Sequence, residues 1–378
     1  MKRVFVNGIN AKSGGGRSIL TNYLRLLSGS SLGDCHYYVL TPDRTEYLKF
    51  ENKFIHILHI HSFFKLNICW LLLNYYVLPR IIRKLEVDVV FNLSDIVITT
   101  PVRQVYLFDW AYAVYPESLV WKRMSWRAFA KRRIKLELFK VSIRNASLVV
   151  AQTQAMSDRL KQQYGLSEIK VVHNAVSLEN LNGTVDVLAL KFNIPPSVTK
   201  FLYLSCYYPH KNFEIFLELA KKIKANRLNY VIVITIDKNE DPRCAKFLRS
   251  VEQLKLNDVI INVGSIPMEA VPAIYGACDA LLMPTLLESF SGTYVEAMFH
   301  SVPILTSDFD FARCVCGDAA LYFDPCNVES IMQCMRRVTE DQTIRNACVT
   351  AGGSRLRELS SWEVAFNNFQ LAIHEDNK

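Results

Sequence analysis

"KRVFVNGINAKSGGGRSILTNYLRLL", residues 2 to 27, decides the fold class. Val4 to Val6 form a short β-branched and aromatic run with no polar alternation. Ser13-Gly14-Gly15-Gly16 then breaks the pattern, and Ile19, Leu20, Tyr23, Leu24 and Leu27 recur at the spacing of one helix face. A strand, a Gly-rich turn and a helix make the first half of a βαβ unit. A strand that is apolar throughout is buried on both faces, as in a parallel sheet.

Working outward, "HYYVLTP" (36–42), "VDVVFNLS" (87–94), "RQVYLFD" (103–109) and "ASLVVAQT" (146–153) read as further strands separated by helix-length segments. "LNGTVDVLALKFNIPPSVTK" (181–200) interrupts the rhythm with Gly183 and Pro195-Pro196. The alternation then restarts: "KFLYLS" (200–205), a helix at about 212–226, "YVIVITI" (230–236), "VIINVGSI" (259–266), "ACDALLMPT" (277–285) and "VPILTSD" (302–308). The reading is an α/β protein of two doubly wound, parallel-sheet, Rossmann-like domains, with the boundary in 181–199. Residues 1–182 form the first domain and 183–361 the second. A last helix, Trp362 to Ile373, begins a 362–378 tail that folds back over the first domain. Ligands of such sheets bind at the carboxyl ends of the strands, so the cleft between domains is the expected site.

Length agrees: 378 residues exceed what one core usually supports. Half of the residues are hydrophobic and 21% charged, and Gly and Pro are not enriched, which excludes a largely disordered chain. "MKRVFVNGIN" lacks the pattern of a signal peptide. The longest apolar run, "LNICWLLLNYYVLP" (66–79), is too short to span a bilayer and reads as a buried core helix or a surface that dips into lipid. Ten cysteines, of which only Cys314 and Cys316 are close together, show no zinc spacing, and read as reduced thiols of a cytosolic protein.

Charge is uneven. Residues 1–190 hold 25 Lys and Arg against 14 Asp and Glu, and residues 191–378 hold 19 against 22. The excess concentrates in "WKRMSWRAFAKRRIKLELFK" (121–140), where Trp121, Trp126, Phe129, Ile134, Leu138 and Phe139 interleave with cations. Such a segment suits an anionic membrane surface, with nucleic acid as the rival partner and a solvated helix face as the plain alternative.

Three places carry candidate chemistry. The glycines at 14–16 let a ligand approach the backbone at a helix start, although the spacing is not that of a dinucleotide fingerprint and a plain tight turn has the same look. In "SCYYPHKNFEIF" (205–216), Lys211 and Asn212 stand after a strand and before a helix, where a cation and helix amides can hold a diphosphate; a solvated lysine is the plain reading. In "ESFSGTYVE" (288–296), Ser289, Ser291, Gly292 and Thr293 precede the helix that carries Glu296. Their amides form an anion site, and Glu288 and Glu296 flank it as acceptors for hydroxyls. Glutamate is also common at helix starts because of the dipole.

The E-x7-E pattern, followed by "AMFHSVPILTSDF" and "GDAALYFDP", resembles the C-terminal domain of retaining family-4 glycosyltransferases of the GT-B fold. The Gly-rich first turn, the "NA" of "VVHNAV" (171–176) and "YYPHKN" fall in family order, so the resemblance covers most of the chain. It implies that Glu296 binds the nucleotide ribose, that Glu288 contacts the donor sugar, and that Phe290, Ser291, Gly292 and Thr293 line sugar and phosphate. Lys211 with Asn212 would meet the diphosphate, and Gly15 and Gly16 would join the donor site. Three positions depart from the pattern. Cys206 stands where an Arg is usual, so that cation is missing or comes from elsewhere. Phe108-Asp109 replaces His-Asp, leaving Asp109 as the polar candidate there. Cys314 replaces a Glu.

The implied reaction is transfer of a hexose from a nucleotide-diphosphate sugar, with retention, no metal and no bound cofactor. Charge develops on the leaving phosphate, which a lysine and helix amides stabilise. Asp308-Phe309-Asp310 spells D-x-D but follows a strand of the wrong fold, so no metal is assigned to it. The basic first half suggests a lipid-linked saccharide acceptor of the O-antigen or capsule kind, at the cytoplasmic face of the inner membrane, with no nucleic-acid partner. A sugar-nucleotide epimerase on the same fold and a non-catalytic binding scaffold are the alternatives.

Overall fold

The computed structural model describes residues 2–12, 14–31, 34–60, 70–176 and 194–375. Ser13 of the Gly-rich turn, residues 66–69 of the apolar run and 181–193 of the interrupting segment lie outside them. The chain divides into two compact units, Met1–Pro116 with Ser125–Ala175 and Ser360–Lys378, and Glu117–Met124 with Val176–Leu359.

Unit 1 holds strands β1 (Lys2–Asn7), β2 (Cys35–Leu40), β3 (Ile55–Leu58), β4 (Val89–Asn92), β5 (Arg103–Phe108), β6 (Leu148–Ala151) and β7 (Ile169–Val171). They form one parallel sheet in the order β3-β2-β1-β4-β5-β6-β7. Val4, Phe5 and Val6 of the central strand are fully buried, as the apolar run requires. Helix α1 (Gly14–Gly29) lays Ile19, Leu20, Tyr23, Leu24 and Leu27 into the core. Ser125 caps α2 (Trp126–Ser142), and Thr153 caps α3 (Gln154–Tyr164), which ends at Gly165 in the left-handed region.

Unit 2 holds β8 (Thr199–Tyr203), β9 (Tyr230–Ile234), β10 (Ile260–Asn262), β11 (Ala280–Met283), β12 (Ile304–Ser307) and β13 (Ala320–Phe323), parallel in the order β10-β9-β8-β11-β12-β13. Its helices are α4 (Ile215–Ala225), α5 (Pro242–Gln253), α6 (Val271–Ala277), α7 (Gly292–Phe299), α8 (Asp310–Cys316), α9 (Val328–Glu340) and α10 (Gln342–Glu358).

The chain then returns to unit 1 as α11 (Trp362–His374). Phe366 lies 5.5 Å from Tyr23, and Phe369 lies 5.4 Å from Phe91, ring centre to ring centre. Arg103 donates to the carbonyls of Ala372 (2.8 Å) and Ile373 (3.1 Å) at the end of α11. A cation there satisfies open carbonyls and opposes the helix dipole, typically by about 0.3–1 kcal/mol.

Two doubly wound parallel sheets match the sequence reading. The strands it did not find are β3, β7 and β13, three of the four outer strands of the two sheets; the fourth, β10, was found. An outer strand is half exposed, so β3 alternates buried and half-buried positions and β7 has no fully buried residue. Neither shows the continuous apolar run on which the reading relied.

The basic segment 121–140 is not one helix. Leu119–Arg123 is a short 3-10 turn belonging to unit 2, and Ser125 starts α2 afresh. Its apolar residues also part company: Trp121, Leu136 and Phe139 are buried, whereas Trp126 (74%) and Ile134 (63%) stand in solvent. The apolar run is helical over 70–84, burying Leu73, Leu78 and Ile82 and exposing Leu71, Leu72 and Tyr76. No helix among the described residues is long and apolar enough to cross a membrane.

Candidate active site

In unit 2 the loop after β8 sets the first side chain. The hydroxyl of Tyr203, the last residue of β8, donates to the Lys211 carbonyl at 2.8 Å. Asn212 then turns the backbone at φ 59°, a left-handed conformation that asparagine tolerates better than most residues. Its fully buried side chain donates to the carbonyls of Pro284 (3.0 Å) and Pro325 (2.9 Å) and accepts from Arg123. One amide thus ties together the loops that follow β8, β11 and β13 and the 119–123 turn. Asn212 is spent on holding the loops.

Lys211 reaches the loop after β11. Its Nζ lies 2.5 Å from Glu288 Oε1, and Thr285 Oγ1 is 3.2 Å from the same oxygen. The two charged side chains are only 13% and 11% exposed. Two elements therefore carry a cation and an anion into one small, poorly solvated place. Sequence reading gave these residues separate ligands, a diphosphate and a sugar; without ligand they neutralise each other. A buried pair of this kind is close to energetic balance while intact, and costly to break by removing one member.

A few residues further, α7 begins. Ser291 is its N-cap residue, buried, and its side chain makes no capping hydrogen bond. The first-turn amides, Gly292 and Thr293 among them, are the open donors of a helix start. Phe290 and Thr293 are half-buried on the same stretch. Glu296 folds back over this start: a methyl group placed on Gly292 would lie 3.8 Å from Glu296 Oε1 and 3.3 Å from Val176. Any side chain at 292 would crowd the space in front of the carboxylate. The Tyr275 hydroxyl, from α6, sits 3.2 Å from Glu296 Oε2 and 3.1 Å from the Thr293 carbonyl. Burial raises the Glu296 acid to about 7, with the Tyr275 hydroxyl pulling the other way. His300 stacks on Tyr275 at 5.1 Å, and burial lowers its proton affinity below the ordinary value.

In unit 1, Asp109 follows β5. Gly16, in the first turn of α1, faces it: a methyl group there would be 3.9 Å from Asp109 Oδ2. Gly15 has no neighbour where a side chain would be, and Gly14 takes φ 57° at the helix start. Burial first, and the Asp95 carboxylate second, raise Asp109 to about 7, while Lys135 opposes them. An acid poised there is available as donor or acceptor near neutral pH.

The structure thus joins Lys211 to Glu288 and Gly292 to Glu296 in unit 2, and Gly16 to Asp109 in unit 1. Cys206 is exposed; burial and nearby Glu240 push its thiol up, and the Lys211 charge opposes them. Asp308 is gripped by Arg313 through both carboxylate oxygens, at 2.5 and 2.9 Å. Sequence reading missed Thr285, Tyr275 and Arg123. Each meets its partner only through folding, and no local pattern marks any of them.

Residues 188–355 match the family model described as glycosyl transferases group 1, and residues 30–180 match glycosyltransferase family 4. The chain belongs to the family-4 glycosyltransferases of the GT-B fold. This family-4 member is 26% identical to the O-antigen chain mannosyltransferase B of Escherichia coli over 43% of its own length and 42% of that protein. It spans about half the length of the curated relatives it matches. Among solved structures it resembles sucrose-phosphate synthase from Thermosynechococcus elongatus, with a TM-score of 0.77 at 14% identity, covering 98% of each chain. It also resembles Anabaena HepE in complex with UDP-glucose, with a TM-score of 0.72 at 14% identity, covering 98% of this chain and 99% of that one.

Proposed function

We propose that this protein transfers a hexose, with retention and without a metal, from a nucleotide-diphosphate sugar to a growing lipid-linked saccharide of the O-antigen or capsule kind. The observation that carries the reading is the Lys211–Glu288 pair set close in sequence to the open amides of α7 and to Glu296. A diphosphate arriving at Lys211 competes with Glu288 for the cation. The displaced carboxylate is then available to hydroxyls of the donor sugar, while Glu296 takes the ribose diol. As the glycosidic bond to phosphate breaks, negative charge grows on the leaving group. Lys211 and the amides of Ser291, Gly292 and Thr293 meet it, in surroundings where charge interactions are strong. Gly15 and Gly16 offer the amides of a second helix start, in unit 1. Asp109 stands ready to exchange a proton with an acceptor hydroxyl or to hydrogen-bond it.

The UDP-glucose complex of HepE and the role of the Escherichia coli relative in O-antigen synthesis support the donor class and the setting. The exposed Trp126, Phe129 and Ile134 beside Arg127, Lys131 and Arg133 support attachment to an anionic membrane at its cytoplasmic face. The test is a thermal-shift series with UDP, GDP, ADP and dTDP, followed by product analysis with the matching sugar nucleotides and a membrane extract as acceptor. A melting point raised by one nucleoside diphosphate, and unmoved by it in Glu296→Ala, is expected. No shift with any of the four would end the proposal.

A further inference from the structure

A diphosphate brings more negative charge to the loops of unit 2 than Lys211 alone can meet. Lys211 stands 2.5 Å from Glu288, so the two charges already cancel. A phosphate that takes the lysine leaves the Glu288 carboxylate close by, and like charges in so poorly solvated a place repel strongly. The start of α7 offsets part of this, with about half a positive charge. Cys206, on the same loop as Lys211, adds none, because its thiol is pushed up. The charge balance calls for a further cation near Lys211.

The 119–123 turn brings one. It belongs to unit 2 and docks against the two loops that carry the pair. Ser118 Oγ donates to the Leu286 carbonyl at 3.4 Å, and Arg123 Nη1 donates to Oδ1 of Asn212, the residue next to Lys211. Arg123 Nη2 lies 3.7 Å from Cys326 Sγ, on the loop after β13. Both partners are uncharged: one is an amide, and burial, the largest influence on the Cys326 thiol, raises it above its ordinary value. The nearby Asp324 accepts from the Cys326 amide at 2.9 Å and makes no ion pair with the guanidinium. Arg243, Arg313 and Arg355 of the same unit are each bound to a carboxylate. Arg123 is bound to none among the described residues, and it is exposed. A guanidinium stays charged at any ordinary pH and presents a planar fork of N–H donors that fits phosphate oxygens. Here its two contacts leave donors over, and the buried Asn212 holds it at the edge of the Lys211 loop.

We propose that Arg123 is the second cation of the diphosphate site and holds the nucleoside diphosphate beside Lys211. The assignment rests on the glycosyl-transfer reading above. It is tested on the full chain by titration calorimetry with UDP, GDP, ADP and dTDP, and by saturation-transfer NMR with the matching nucleosides, which lack phosphate. For the diphosphate that the wild type binds, Arg123→Met weakens affinity by about tenfold to a hundredfold, the range for hydrogen bonds to charged groups. Its affinity also falls less steeply with added salt, because one charge fewer meets the phosphates. Arg123→Lys keeps the charge without the fork and recovers part of the loss. The nucleoside signal is the same in all three proteins. A role confined to holding Asn212 would lower nucleoside and diphosphate binding together and leave the salt dependence unchanged, which overturns the proposal. Wild-type diphosphate affinity in Arg123→Met also overturns it, while the donor reading stands. A wild type that binds none of the four diphosphates removes the donor reading, and the role of Arg123 with it.

Discussion

Lys211 Nζ and Glu288 Oε1, 77 positions apart in the chain, stand 2.5 Å from each other on the loops that follow adjacent strands of the unit 2 sheet. Both side chains are almost withdrawn from water. The energetics of such a pair are asymmetric. The pair as a whole adds little to stability, but a single survivor leaves an uncompensated charge, at a cost of about 3–5 kcal/mol.

Lys211→Ala is therefore expected to destabilise unit 2 by about 3 kcal/mol and to abolish the nucleoside-diphosphate thermal shift. Replacing both residues, as Lys211→Met with Glu288→Leu, should restore the urea midpoint but not the nucleotide response. Recovery of both would show that the pair is structural only.

Glu296 gives a pH dependence of known sign. Its acid has an ordinary value of 4.5 and stands at about 7 when folded, so between these values the folded chain holds a proton that the unfolded chain has released. Its contribution to stability is complete below pH 4.5 and is lost as pH rises through 7. Asp109, also at about 7, adds the same trend. Ribose hydroxyls bind the ionised carboxylate better, so nucleotide affinity should rise over the interval in which stability falls. Glu296→Gln should flatten the rise in affinity and reduce the slope of stability, as followed by titration calorimetry and chemical denaturation. An unchanged profile in the variant would refute the assignment.

Asn212 does two jobs that other residues do separately. Asn212→Ala loses the hydrogen bonds to Pro284, to Pro325 and from Arg123 and places a Cβ-bearing residue without a polar side chain at φ 59°, for an expected loss of about 3 kcal/mol. Asn212→Gly should recover the backbone part only, about 1 kcal/mol. Urea denaturation followed by tryptophan fluorescence separates the three proteins. Equal stability of the glycine and alanine variants would show that backbone strain plays no part.

The exposed apolar side chains of α2 allow a direct membrane test. Each of Trp126, Phe129 and Ile134 would gain about 1.5–3 kcal/mol on full burial, and partial insertion yields a fraction of that. Co-flotation with phosphatidylglycerol vesicles is expected for the wild type. The triple variant Trp126→Ser, Phe129→Ser, Ile134→Ser should lose it. High salt should weaken the wild type, because Arg127, Lys131 and Arg133 supply the electrostatic share. Wild-type protein that stays at the bottom of the gradient at low salt rules the surface out.

Much of the architecture was legible because it depends on local rules. Central strands of a parallel sheet are apolar along their whole length, so β1, β4, β5, β8, β9 and β11 declared themselves. The helical spacing of α1 and α11 marked the faces they bury. Outer strands β3 and β7 lack that signal because each carries a polar residue where water reaches it, whereas β13 is apolar along its length but only four residues long. The break between the 119–123 turn and α2 was hidden for a related reason: cations and aromatic residues run unbroken through 121–140, and only packing separates Trp121, which is buried, from Trp126, which is not.

For the site, sequence alone determined the residue types and their order: glycines before α1, a lysine after β8, and two glutamates around the start of α7. These follow from short-range chemistry, in which a strand, a turn and a helix start place amides and side chains within one stretch of chain. Tertiary structure decided which groups meet. It set Lys211 against Glu288, laid Tyr275 on Glu296, turned Asn212 inward as a clamp, and brought Arg123 to it. Those contacts depend on strand order and on burial. Burial fixes the strength of a charge and its proton affinity, and it is a property of the packed chain that no single segment carries.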